Sequence, residues 1–417
     1  MSLSPSKAMR KSLLALFAVS IFGAASFNAA LAHPRHQYND GSPTDSQKLS
    51  EANQSRLDKL ALRLNKKPEN AEVAVAFARF ATTQARRLGD ATLLRQAGES
   101  LNPWEGVENP PIDVLLVRAN MKQIDHRFDA ALDDLNQVIK RSPANPQARL
   151  SRAFILSTIG RADDAAADCA ALRVSVSIYI RETCRARVNG LVGAIDETAT
   201  RMDALLSAVQ SASPAERLFA LSVAADIAER QRNSIAAEAY YREMWAIDSA
   251  SVYMRAAYAD FLLTQNRSEE AREVIGDAPH TEALLLLRIL AADDPGDAAA
   301  DSAAQELSIR MAVDHAERDF SHAREYARFA LDHLDDAKLS LEMARENWRV
   351  QKEPVDARIL VRSAIAANAP DLVADMRAWF AETGMRDHIL EALLTQDHLE
   401  IKGEIPDAAH PHASVIE

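Results

Sequence analysis

Residues 128–143 read FDAALDDLNQVIKRSP and close on Pro143, a residue that stops a helix. Ala131 within that stretch belongs to a ladder. Ala97, Ala131, Ala165 and Ala199 stand 34 residues apart; the phase then slips, and Ala237 and Ala271 resume the same spacing. Such a period is the length of a helix–turn–helix repeat. Other positions agree with it. With each ladder alanine taken as position 20, position 8 lies on the first helix, where two helix backbones approach closely and a small residue is expected. It is Ala119, Ala153, Arg187, Ala225 and Ala259, so that Arg187 alone departs. The turn between the helices is polar or contains glycine: Asp125-His126-Arg127, Ile159-Gly160-Arg161 and Gln265-Asn266-Arg267. Asn145-Pro146 then precedes the next helix.

Residues 128–143, 145–172 and 253–271 (YMRAAYADFLLTQNRSEEA) resemble tetratricopeptide-repeat (TPR) sequence, and the resemblance covers residues 111–277. It implies an all-α fold, a right-handed α-solenoid of helix–turn–helix repeats, among exported bacterial TPR proteins. Arrays of this kind bind unrelated partners, so the likeness speaks for fold more than for function. In TPR repeats, positions 2, 5, 9 and 12 of the first helix line the concave face. Carried over, that register gives Asn120, Gln123, Phe154, Asp226, Glu229, Tyr253 and Asp260 as a candidate partner-binding groove. Acidic residues with aromatic edges would suit a basic or mixed peptide. The Lys/Asn clamp that some TPR proteins use for a peptide carboxylate is not met: Asn120 matches one place, but Ser151 stands where the next Asn should be. Asp203 also departs, at a position where the repeat carries an apolar residue.

The chain opens with a targeting pattern. Lys7, Arg10 and Lys11 precede an apolar stretch over residues 13–27, and Ala30-Leu31-Ala32 is a small-x-small cleavage site, so the mature chain is expected to start at His33. An uncleaved membrane anchor is the alternative; Gly23 and Ser26 interrupt the stretch, which is short for a span. Export to the periplasm and no membrane insertion after cleavage are expected. Residues 33–45 are a polar linker, and residues 46–110 hold N-terminal helices with a degenerate repeat. Residues 111–277 form the array, 278–400 carry degenerate repeats and a helical cap, and 401–417 are a polar tail. Ala337, Leu341 and Ala344 suggest one further unit before Pro354. The whole reads as one continuous solenoid, each unit contacting its neighbours.

The net charge of −12 becomes −15 once the three cations of residues 1–32 are removed, because no Asp or Glu lies there. A nucleic-acid binder needs a basic face to neutralise phosphates, so none is expected as a partner. Arg181, Arg185 and Arg187 cluster on one helix and read as a solvated face. Cys169 and Cys184 are the only cysteines. They fall on sequence-adjacent helices that short connections make antiparallel, and an oxidising compartment favours a disulfide between them. Two buried free thiols are the alternative.

Catalytic patterns are absent. No G-x-G-x-x-G, Walker, H-E-x-x-H or G-x-S-x-G sequence occurs, and the carboxylates interleave with Arg and Lys at helical spacings. Neither an enzyme nor a cofactor is expected. His33, His36, His410 and His412 in the tails leave a second reading, an accessory factor for envelope transport or metal handling, although Pro34 removes an amide nitrogen that a square-planar chelate would use. The leading expectation is an interaction scaffold that holds a protein or peptide through its concave face.

Overall fold

Polar caps and left-handed turns cut the chain into helices. Asn70, Asp90, Asn145, Asn233 and Ser251 each accept a hydrogen bond from a backbone N–H of the following first turn, which satisfies a donor that the helix cannot use itself. At four hairpin turns one residue takes a positive φ: His126, Gly160, Arg232 and Asn266. The next N–H then reaches back to a carbonyl of the ending helix, as in Arg127 to Lys122, Arg161 to Leu156, Asn233 to Ala228 and Arg267 to Leu262, at 2.7–3.0 Å. This is the Schellman arrangement, and it occupies an otherwise orphaned carbonyl. His126 and Gly160 lie one repeat apart, as do Arg232 and Asn266.

In a computed structural model, residues 49–172, 176–208, 212–293 and 296–395 are described, and among them are twenty α-helices and no strand. Helix α1 (Glu51–Lys66) leads into hairpins α2 (Ala71–Leu88) with α3 (Ala91–Glu99), α4 (Ile112–Ile124) with α5 (Phe128–Arg141), and α6 (Pro146–Thr158) with α7 (Ala162–Ala171). Then come α8 (Ile178–Val192) with α9 (Ile195–Ala208), α10 (Pro214–Arg230) with α11 (Ser234–Asp248), and α12 (Val252–Thr264) with α13 (Ser268–Ile275). The C-terminal part holds α14 (Glu282–Leu290), α15 (Ala298–Glu317), α16 (Ala323–Asp332), α17 (Ala337–Val350), α18 (Pro354–Ala366), α19 (Pro370–Thr383) and α20 (His388–Thr395). A short 3-10 turn, Asn102–Trp104, lies in the connector between α3 and α4.

The two helices of each hairpin pack on each other and on the next hairpin, the pattern of an α-solenoid. Ladder residues Ala97, Ala131, Ala165, Ala237 and Ala271 are fully buried, and Ala199 packs at the edge of the same core. Ala119, Ala153, Ala225 and Ala259 on the facing helices are buried too. With only a methyl group at these points the backbones come close, and the larger Leu, Ile and Phe side chains interdigitate around them. The run of leucines in α14 has a packing reason. Leu284 and Leu287 join the core of the preceding repeats, whereas Leu285, Leu286 and Ile289 join that of the C-terminal helices. Cys169 on α7 and Cys184 on α8 form a disulfide with a Cα–Cα distance of 5.6 Å.

The array does not stay open. Helix α2 packs on α12, five hairpins further along, and there Gly89 at φ +66° sits so close to Pro279 and Thr281 that an added Cβ would come within 3.0 Å of Thr281 Cγ2. The C-terminal helices then lie back over earlier ones. Lys352 N–H donates to the Thr158 carbonyl at 2.8 Å, and Arg386 N–H to the Leu191 carbonyl at 2.8 Å. Arg187 Nη2 meets Glu353 Oε1 at 2.8 Å, and Nε donates to Ser157 Oγ at 3.1 Å. Glu353 also faces Arg324 at 3.1 Å, and Arg324 Nε reaches Asp356 at 2.7 Å. Arg187 thus occupies a place where the repeat wants a small residue because it ties the third unit to α18. The expected open concave face is in this way lined by the chain's own second pass. His315 and His322 lie on separate elements, since α15 ends at Glu317 and Arg318 turns left-handed.

Candidate binding cavity on the inner face

First helices of successive hairpins pack side by side along the inner face, except that α10 and α12 part. A cavity of about 500 Å³ opens there, walled by α10, α11, α12, α16, α18 and α20. Its volume lies within the range of ordinary ligand pockets.

Four of the seven residues expected on the inner face converge on it: Asp226 and Glu229 from α10, and Tyr253 and Asp260 from α12. The other three lie apart. Asn120 is buried on α4, and Gln123 is half-buried near its end. Phe154 is buried beneath the Arg187 guanidinium, 4.9 Å from its ring centre, and against Phe219 at 5.4 Å. Phe154 is thus covered by the next two first helices of the array, α8 and α10.

Residues that the repeat register did not single out complete the wall. Arg328 of α16 grips Asp260 through both terminal nitrogens, at 2.7 and 3.1 Å. Arg358 of α18 is held by Asp387 through Nε and Nη2, and Arg362 by Asp332. Asp226 pairs with the buried Arg230 at 2.8 Å, and that guanidinium also donates to the carbonyls of Gly190 and Arg386. Ile389 and Leu393 of α20 supply apolar wall. The last helix, expected as a cap on the array's apolar end, packs on α18 and α19 and turns these side chains to the cavity. Such arginines look like any others in charged helices, and only Arg187, by breaking the small-residue position, carried a signal of the closure.

Glu229 stands out in this set. It forms no ion pair among the described residues, and its hydrogen bond comes from the Tyr241 hydroxyl. Burial pushes its carboxyl up to about 7; the Tyr241 bond and the field of Arg358 only partly oppose that, and Asp226 and Asp260 reinforce it. The Tyr241 and Tyr253 phenols are raised as well, chiefly by burial. Beside Tyr253, burial lowers Arg86 to about 10. The cavity is therefore not the acidic surface expected from the register. Most of its charges are cancelled in fixed pairs, and one carboxyl is left poised near neutrality.

Among the described residues no group of three His, Cys, Asp or Glu side chains could hold a metal ion, and no helix is long and apolar enough to cross a membrane. His33, His36, His410 and His412 lie outside the described residues, as do the leader and the polar tail. No family model matches the chain, and no curated protein matches it.

Proposed function

We propose that this chain is an exported TPR-type interaction protein that holds a segment of a protein or peptide partner in the inner-face cavity. The observation that carries the reading is the convergence of four register-chosen residues, from two repeats, on one cavity of about 500 Å³. Paired charges and aromatic walls there suit a polar peptide segment, with fixed dipoles orienting it. Export is supported by the leader pattern of residues 1–32 and by the disulfide, which fits an oxidising compartment. N-terminal sequencing of protein recovered from the cell envelope is expected to begin at His33; a chain beginning at Met1 there overturns the export.

Site-specific photo-crosslinking tests the binding. Thr264 and Gln265 are exposed residues on the cavity wall, and Glu197 is exposed on α9 away from it. A photo-reactive residue at 264 or 265 is expected to capture a partner that the same residue at 197 does not. Equal capture at all three places, or none at 264 and 265, defeats the reading.

A further inference from the structure

We propose that the group received by the cavity is a protonated amine or guanidine, with the Glu229 carboxylate as its counter-ion and the Tyr253 and Phe261 rings beside it. This rests on the cavity being the binding site and adds the chemistry of what enters.

The argument starts from which charges are already spent. On α10, Asp226 is matched by Arg230; on α12, Asp260 is matched by Arg328 of α16. From α18, Arg358 is matched by Asp387 and Arg362 by Asp332. Arg232, at the end of α10, is exposed at the cavity edge. An incoming anion would compete with a carboxylate already gripping each interior arginine. An incoming cation meets Glu229, which has only the neutral Tyr241 hydroxyl for a partner. Burial makes an uncompensated carboxylate costly there, so a charge-assisted bond to a cation gains more than it would at the surface. Tyr253 and Phe261 also line the same space, and aromatic rings attract ammonium and guanidinium groups.

A second consequence follows from the carboxyl that stands at about 7. Below that pH it is mostly protonated and cannot pair with a cation. Binding must then release its proton, and affinity rises with pH until the carboxyl is ionised without help.

The test uses the full mature chain in titration calorimetry, with three probes. One is acetyl-Gly-Gly-Lys-Gly-Gly-amide, one is the same peptide with norleucine for lysine, and one is putrescine. The lysine peptide is expected to bind at least about tenfold more tightly than the norleucine peptide, as for a hydrogen bond to a charged group. Its affinity should fall on the order of tenfold from pH 7.5 to pH 5.5, with protons released to the buffer. Glu229→Gln is expected to abolish both the preference and the pH slope while the disulfide and the helical circular dichroism stay as they were. A purely structural role for Glu229 would not remove the slope selectively. If putrescine matches the lysine peptide, the source of the cation is a free amine; if only the peptide binds, it is a partner's side chain. Either result supports the inference. Equal binding of the lysine and norleucine peptides, or no binding by any probe, overturns it, and continued crosslinking at 264 or 265 would then leave the cavity as a binding site of other chemistry.

Discussion

Two kinds of seam hold this chain together, and they are built from opposite materials. Between neighbouring hairpins the seam is apolar. Ala131, Ala153 and Ala165 stand fully or almost fully buried among Leu, Ile and Phe, and the buried carboxylates beside them, Asp134 and Asp168, are each paired within their own hairpin, to Arg118 and Lys122 and to Arg149 and Arg152. Where the C-terminal helices lie back on the third unit the seam is ionic: Arg187, Glu353, Arg324 and Asp356 form one buried chain of contacts, with Gln351 and Asn347 hydrogen-bonded to its members. An apolar seam tolerates small shifts of one helix along another, because dispersion is non-directional. A buried ionic seam has a single good geometry and a large penalty for a missing partner. The difference implies that the repeats supply the stability and the closure supplies one defined shape for the cavity.

The sharpest way to break the comparison is to remove one member of the ionic seam. Arg324→Met removes the ion-pair partner of Asp356, leaving it hydrogen bonds from Asn347 and the Glu353 N–H, and leaves Glu353 with Arg187 as its remaining ion-pair partner. A loss of about 3–5 kcal/mol is expected, the usual cost of orphaning a buried charge. Urea denaturation measures it. A loss below about 1 kcal/mol would mean that water already reaches the closure. The double replacement of Arg324 and Asp356 by apolar residues should recover most of the loss.

The covalent link within the apolar region comes next. Cys169→Ser with Cys184→Ser opens a loop of 15 residues and is expected to cost about 3 kcal/mol by loop entropy. The same loss should follow from adding reductant to the native protein and be absent from the double variant. Titration of free thiols in unreduced, denatured protein should find none; two thiols would contradict the bond. Crowding the apolar seam instead, with Ala131→Leu, is expected to cost about 1–3 kcal/mol through overpacking. Because the closure depends on other residues, Arg324→Met and Ala131→Leu should add, and a marked departure from additivity would show the two seams to be one cooperative unit.

The two seams also differ in how well they can be read from sequence. Alanine at a 34-residue spacing is legible because a repeat forces the same close approach at the same place each time, and the hairpin turns are legible through Gly160 and Asn266. The Cys169–Cys184 pair was legible from that register taken with the leader pattern, which implies an oxidising compartment. The closure is written in arginines, and an arginine on a helix gives no sign of whether it meets water or a carboxylate from a distant segment. Arg324 and Arg328 lie four residues apart on α16 and resemble a solvated stripe, yet the first is buried in the ionic seam and the second holds Asp260 inside the cavity wall. Four residues of the candidate site were visible for the same reason. Asp226, Glu229, Tyr253 and Asp260 come from repeats in good register, whereas Arg358, Ile389 and Leu393 come from helices whose repeat pattern has decayed. Phe154 was readable as an inner-face residue; that Arg187 and Phe219 would cover it was not.

The cavity itself lies where the two seams meet, and Glu229 allows the smallest of these tests. Its carboxyl is raised from 4.5 to about 7 in the folded chain. Below pH 4.5 it is protonated in both states and contributes nothing to pH dependence. Between pH 4.5 and 7 the unfolded chain gives up the proton while the folded one keeps it, so the unfolded state binds fewer protons and stability falls as pH rises. Above 7 both states are ionised and the fall is complete. Because the side chain is only half-buried and borders an open cavity, the full shift overstates the effect, and a fall on the order of 1 kcal/mol is expected. Glu229→Gln keeps an acceptor for the Tyr241 hydroxyl and removes the titration. The variant should match the native chain at pH 4 and exceed its stability by that amount at pH 7.5, measured as urea midpoints across the range. Should the variant be weaker at both pH values, the carboxylate would be held by a cation in the folded chain, and the cavity would have no unmatched charge to offer a ligand.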